Sequence, residues 1–583
     1  ARRPTSSERL QFRPLTRSKL GPMLARSDVE SCWGTTMPGW NFAELWERIA
    51  AQRPDADAQV QGERRITWAE FDRRANGLAR YFLDRGFRHQ DKVAMYLHNC
   101  PEYLETSFAC YKAGLVPVNT NYRYITDELA YLWDNADAVA VVFHGTFADR
   151  VDAVRGRVPT VTTWLWVDDG SGPCPDWAVP YEEAAATPTA TSNASGHTVA
   201  EWGRSGDDIL MIYTGGTTGM PKGTMWRQDD LIRALCSTGN PILGEECETA
   251  GYDAALEGIG ANAAPGLLAC PLMHGTGWFT ANMYLTSGGS VVSLPSRHFD
   301  VEELLDVIEA EKVGALTIVG DAFAKPMVAA LDAEPDRWDI SSVVLITSSG
   351  VMWSESAKLG LLAHHPGMLL VDSFSSSEAI GLGQSVSAGE SAAGTASFAL
   401  GPNARVVTED GRDVEPGSGD IGRVAVGGHV PLGYYKDEAK SAATFIMIDG
   451  RRYSCPGDWA TVEADGTITL LGRGSVCINT AGEKVFPEEV EEALKTHPSV
   501  YDAVVVGVPD DRFGETIAAV VQPVEGAEIS ADDLVAHTKE HLAGYKAPRA
   551  VLSVDTIGRA PNAKVDYKRW KAYAADQASS STT

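Results

Sequence analysis

The stretch Tyr213-Thr-Gly-Gly-Thr-Thr-Gly-Met-Pro-Lys-Gly223 decides the reading of this chain. It follows the apolar run Ile209-Leu210-Met211-Ile212, so it reads as a segment that leaves a strand. Glycine permits φ > 0 and close backbone approach, and successive N–H groups form an anion-holding concavity. Threonine hydroxyls and the Lys222 ammonium add further donors, and together they suit a polyphosphate. The segment is not a Walker A loop, which needs Gly-Lys followed by Ser or Thr. Here Pro221 precedes Lys222 and Gly223 follows it.

Outward from the loop the chain alternates between helical and strand-like patterns. Residues 42–51 and 68–85 have helical apolar spacing, while 92–97 and 138–143 read as buried strands. Such alternation implies parallel sheets covered by helices. Residues 170–206 are rich in Pro, Ser, Thr and Ala and read as a surface connection before the loop. A second alternating block spans 267–382, a more β-like stretch follows, and an α+β unit begins after Arg473. The first helix of that unit starts at Pro487, and Glu488, Glu489 and Glu491 read as a solvated helix start.

The chain has 583 residues and a formal charge of −28, which argues against nucleic acid as a partner. The charge leaves ATP open, because a nucleotide needs only a local cluster of donors. Nine cysteines without a C-x-x-C pair point away from a disulfide framework or zinc site and toward a reducing cytoplasm. No run approaches the ~20 apolar residues of a membrane span. Residues 1–36 are Arg- and Ser-rich and are expected to be a disordered extension.

Further segments follow in a definite order. His274 lies in P-L-M-H-G-T-G-W-F, Glu378 ends D-S-F-S-S-S-E, and Gly433-Tyr434-Tyr435 precedes K-D-E-A-K-S. Asp458 lies in Y-S-C-P-G-D-W and Arg473 in L-L-G-R; then come G-E-K-V-F-P-E-E-V-E from Gly482 and A-P-N-A-K ending at Lys564. This set resembles the adenylate-forming (AMP-binding) superfamily, and within it the actinobacterial fatty-acyl and steroid side-chain CoA ligases. The resemblance runs from about residue 40 to about residue 572.

The resemblance implies an α/β fold. It has a large N-terminal domain of packed β-sheets with helices plus a β-rich subdomain (37–473), and a small mobile α+β C-terminal domain (474–583). It implies ATP-dependent conversion of a carboxylic acid to an acyl-adenylate, then transfer to coenzyme A, with Mg²⁺ as the metal and the cytoplasm as location. Thr214, Gly215, Gly216, Thr217, Thr218, Gly219 and Lys222 would cradle the leaving phosphates. Glu378 and Thr218 would hold Mg²⁺. Ser349, Gly350, Ser373, Phe374 and Ser377 would line the nucleotide site, with Phe374 beside adenine. Asp458 and Arg473 would bind the ribose hydroxyls.

By the same resemblance Lys564 would carry the first step, and Gly482 would pass close to the pantetheine of CoA. His274 would gate the acyl tunnel, and Gly320 and Gly350 would leave room for a bulky acyl group. Arg473-Gly474-Ser475 would be a hinge. Four positions depart from the pattern: Ser375, Ser475, Ala481 and Ala563. A left-handed Ala563 would store about 1–2 kcal/mol of strain. Two alternatives stay open on sequence: an enzyme that passes the adenylate to a carrier protein, and a nucleotide- or acyl-binding homologue with impaired turnover. The oligomeric state is not fixed, a homodimer being one option.

Overall fold

The apolar run before the glycine loop forms strand Ile209–Gly216, which returns at once as Gly219–Arg227 in an antiparallel hairpin. The computed structural model describes residues 39–188, 197–216, 219–237, 263–480, 483–510, 514–560 and 564–580. Among them the hairpin belongs to an eight-stranded sheet. Val116–Asn119, Lys92–Tyr96, Ala138–His144 and Thr163–Val167 continue that sheet in parallel. Parallel neighbours need crossover connections, and helices Pro101–Ala113 and Thr126–Asn135 supply two of them.

Helix Pro101–Ala113 is buried on every face, so its polar residues must be paired. Glu105 accepts from Arg74, and the Lys112 ammonium meets Glu47 and Asp72. Arg204 donates to Glu47 from the stretch expected to be a surface connection. That expectation is corrected for the described part of 170–206. It contains strand Val179–Pro180 and helix Tyr181–Ala185, and Tyr181 and Thr198 are buried. Its low-complexity composition hides side chains that complete a buried charge network.

A second, fifteen-stranded sheet among the described residues joins two regions that the sequence separates. Strands Ser290–Ser293, Pro265–Leu268, Ala315–Ile318, Leu345–Ser349 and Leu369–Ser376 run parallel. Ala379–Ala388 then reverses direction, and the sheet continues antiparallel through Ser397–Leu400, Thr467–Arg473 and Asp458–Val462. The β-rich subdomain is therefore an extension of the second α/β block.

The expected helices form as Phe42–Gln52 and Trp68–Asp84, capped by Asn41 and Thr67 side chains. After Arg473 a five-stranded sheet, built on the long hairpin Val500–Asp510 and Gly514–Pro523, packs with helices Pro487–Lys495, Ala531–His541 and Tyr567–Ser580. No described helix is long and apolar enough to cross a membrane.

Candidate active site

Two hairpin tips, one from each large sheet, form the centre of the site. In the first, Gly216 pairs with Gly219, and the glycine segment is the tip of a hairpin whose return strand carries Lys222. Thr217 and Thr218, the residues between, lie outside the described residues, as do Gly482, Ala481 and Ala563. Thr214 sits opposite Lys222 in the register, and Gly215 lies beside it within the strand. Asn119 braces this strand: it donates to the Tyr213 and Met273 carbonyls at 2.9 and 2.6 Å and accepts from the Tyr213 N–H at 2.6 Å. One buried amide thus ties the phosphate hairpin to the turn that carries His274.

In the second tip Ser376 pairs with Ala379, leaving Ser377 and Glu378 as the two turn residues. The turn is held from three sides. Trp226 Nε1 donates to the Ser377 carbonyl at 2.8 Å, Ser454 Oγ to the Glu378 carbonyl at 2.6 Å, and the Tyr434 hydroxyl to Glu378 Oε1 at 2.9 Å. Glu378 Oε2 has no hydrogen-bond partner among the described residues. One anchored carboxylate with a second oxygen available suits Mg²⁺, which binds through one or two carboxylates and keeps several waters. Tyr434 is a functional residue that motif reading missed; its only signal was the unassigned Gly433-Tyr434-Tyr435.

Asp458 and Arg473 are direct register partners on adjacent strands. Arg473 Nε donates to Asp458 Oδ1 at 3.2 Å, whereas Oδ2 is buried with no partner among the described residues. Buried carboxylate oxygens are ordinarily paired, so Oδ2 is poised to accept from a hydroxyl. The neighbouring Asp458 carboxylate raises the Arg473 pKa against the opposing effect of burial. That guanidinium is therefore a fixed cation.

Lys564 reaches the same region. Burial lowers its pKa first, with Arg473 acting in the same direction and Glu378 and Asp458 opposing. The His274 pKa falls to about 3, through burial first and then the charges of Lys564 and Arg123. His274 occupies the N-cap position of helix Gly275–Thr286 without capping it through its side chain. At neutral pH it is an uncharged imidazole beside the lysine. Arg473, Glu378 and Asp458 thus act on Lys564, and Lys564 in turn acts on His274.

Several expectations change. The Phe374 ring is 8% exposed and packs against Phe398 at 5.5 Å within the core of the β-rich subdomain. Strand alternation puts Ser373 and Ser375 on the opposite face. Ser375 accepts from the Gly381 N–H at 3.2 Å, so this departure from the family pattern braces the hairpin. Ser475 lies in the short 3-10 turn Gly474–Val476.

Gly350 follows strand Leu345–Ser349 with φ +102°, and a Cβ there would be 3.6 Å from Thr276 Oγ1, so the position has space. Gly320 does not leave acyl room. A Cβ there would stand 2.5 Å from the Met352 carbonyl oxygen, and the glycine serves close backbone packing.

Of the glutamates after Pro487, Glu491 is buried and Glu488 and Glu489 are half-buried. Glu491 is 5% exposed and accepts from Val505 N–H and the Tyr567 hydroxyl at 2.9 and 3.0 Å. Glu488 Oε2 is buried without a partner among the described residues, close to Gly472. Burial, and then the charge of Glu491, raises the Glu488 pKa.

The chain is similar to known proteins over most of its length. The family model for AMP-binding enzyme matches residues 46–435, and that for the AMP-binding enzyme C-terminal domain matches 489–564. A medium/long-chain-fatty-acid–CoA/3-oxocholest-4-en-26-oate–CoA ligase of Mycolicibacterium smegmatis is 41% identical over 543 residues, covering 91% of this chain and 95% of its own. A 3-oxocholest-4-en-26-oate–CoA ligase of Rhodococcus rhodochrous is also 41% identical, over 545 residues, with coverage of 91% and 95%. The crystal structure of an anthranilate CoA ligase with anthranoyl-AMP superposes with a TM-score of 0.78 at 21% identity, covering 93% of this chain and 99% of that one.

Proposed function

This chain belongs to the AMP-binding enzyme family, and from that premise we propose that it activates a medium- or long-chain fatty acid, or a steroid side-chain acid, and delivers it to coenzyme A. The acid carboxylate attacks the α-phosphate of ATP, pyrophosphate leaves, and the CoA thiol then displaces AMP from the acyl carbonyl. The substrate class rests on the relatives named above. The observation that supports the reaction is the Glu378 carboxylate anchored by Tyr434 together with the register-paired Asp458 and Arg473, whose charges act on Lys564.

The first step brings an anionic carboxylate to an anionic phosphate, so its barrier is dominated by charge. Lys564 supplies the cation, and its charge interacts with those of Glu378, Asp458 and Arg473. Lys222 and the glycine-hairpin amides hold the leaving phosphates. Asp458 Oδ2 accepts from a ribose hydroxyl, which fixes the nucleotide and hence the α-phosphate. Glu378, oriented by Tyr434, would hold Mg²⁺ together with Thr218; the ion would neutralise phosphate charge. His274, being neutral, adds no competing charge beside Lys564.

The test is incubation with ATP, Mg²⁺ and a panel of fatty and steroid side-chain acids, with and without CoA. Pyrophosphate, AMP and thioester are followed together. Thioester formation dependent on acid, ATP and CoA is expected. Pyrophosphate release with no CoA thioester from any acid would reassign the acceptor to a carrier protein.

A further inference from the structure

The segment Gly433-Tyr-Tyr-Lys-Asp-Glu has no part in the function so far beyond Tyr434. It is stitched to the strand that carries Lys222. Tyr434 pairs with Thr224 in the register, and Leu432 and Tyr435 donate their N–H groups to the carbonyls of Met225 and Gly223, each at 2.8 Å. This pairing sets Asp437 against the glycine hairpin. Asp437 Oδ2 lies 2.7 Å from the Lys222 ammonium, which also sits 5.7 Å from the Tyr434 ring centroid. The other oxygen, Oδ1, accepts from Lys440 N–H at 3.0 Å and caps helix Glu438–Thr444. The hydrogen bond to Lys222 is the leading cause that holds the Asp437 pKa down, so the partner is an anion at neutral pH.

We propose that Asp437 is a positioning residue that competes with pyrophosphate for Lys222, weakening the hold on the leaving group and speeding its release. The proposal rests on the reading of the glycine hairpin as the phosphate cradle. A carboxylate and phosphate oxygens seek the same ammonium, and both are anionic, so a grip on one loosens the grip on the other. Lys222 and Asp437 are each about a third exposed, at 35% and 32% of the side chain, so the pair is weak enough to be exchanged. A buried pair would not open at each turnover.

The test is calorimetric titration of the full chain with magnesium pyrophosphate in wild type, Asp437→Asn, Lys222→Ala and the double variant. Asparagine keeps the helix cap and removes only the charge. Asp437→Asn is expected to bind pyrophosphate about two- to five-fold tighter, the range an exposed ion pair supports. KM for ATP should fall by a similar factor, and the change should vanish in the Lys222→Ala background. Weaker or unchanged binding in Asp437→Asn would overturn the proposal. So would equal tightening in the Lys222→Ala background, which would mean simple charge repulsion. Undiminished pyrophosphate binding by Lys222→Ala alone would instead overturn the cradle reading beneath it.

Discussion

Asp458→Asn separates a ribose-binding carboxylate from a structural one. Asp458 is 6% exposed, and its Oδ1 is engaged by Arg473 at 3.2 Å while Oδ2 has no partner among the described residues. Asparagine keeps the shape and leaves an oxygen for Arg473, but it places an NH₂ group where the ribose hydroxyl would donate. The loss is one hydrogen bond to a charged acceptor, about 1.5–3 kcal/mol. That corresponds to a rise of about ten- to hundred-fold in KM for ATP. The assay compares ATP with 2′-deoxy and 3′-deoxy analogues in wild type and variant, following pyrophosphate release. Wild type should lose a comparable factor with the analogue that lacks the engaged hydroxyl, whereas the variant should barely distinguish that analogue from ATP. Equal discrimination against both analogues in the two proteins would refute the argument, because the Oδ2 partner would then not be a ribose hydroxyl.

Lys564→Ala should slow acyl-adenylate formation by at least about a hundred-fold, the scale of losing one preorganised charge. It should largely spare thioester formation from supplied acyl-adenylate; equal loss in both halves would refute its role. Glu488 has a raised folded-state pKa, so its contribution to stability is complete below the unfolded carboxyl value and is lost as pH rises through the folded one. Between about pH 5 and about pH 8 the wild type should therefore lose about 1–2 kcal/mol more unfolding free energy than Glu488→Gln, measured by urea denaturation. Lys112, with a side chain 0% exposed between Glu47 and Asp72, should cost about 3–5 kcal/mol as alanine, because two buried carboxylates lose their cation. A melting temperature unchanged in Lys112→Ala would show that water replaces the ammonium.

What the sequence made legible was local. The capped helices at Phe42 and Trp68, the strands at Lys92 and Ala138, and the Pro487 helix start lie within a residue or so of expectation, because period and caps are short-range signals. The motif residues Asp458 and Arg473 were legible as types, but the register that sets them side by side was not. The packing of Phe374 against Phe398 was not legible, because the two rings are brought together only by the pairing of distant strands. Gly320 was misread as space because the atom that excludes a Cβ, the Met352 carbonyl oxygen, lies thirty-two residues away. Glu491 was misread because a helix N-terminus favours acids in water, and only tertiary packing reveals that Tyr567 and Val505 cover it.

The buried glutamates bear on how the two steps share one site. In the function proposed above, the first step uses the Lys564 cation beside the acid and the α-phosphate, and the second needs a thiol to reach the same carbonyl. A cation held by the C-terminal unit can be withdrawn only if the contact between that unit and strand Thr467–Arg473 can open. In that contact Glu488 places a carboxyl oxygen with no partner among the described residues against Gly472. An unsatisfied buried polar atom costs about 1–3 kcal/mol, and release into water recovers it. The contact is thus built with a penalty at the point where separation relieves it, and deprotonation of Glu488 adds to the relief. An interface optimised for permanence would have an apolar side chain or a donor at that position.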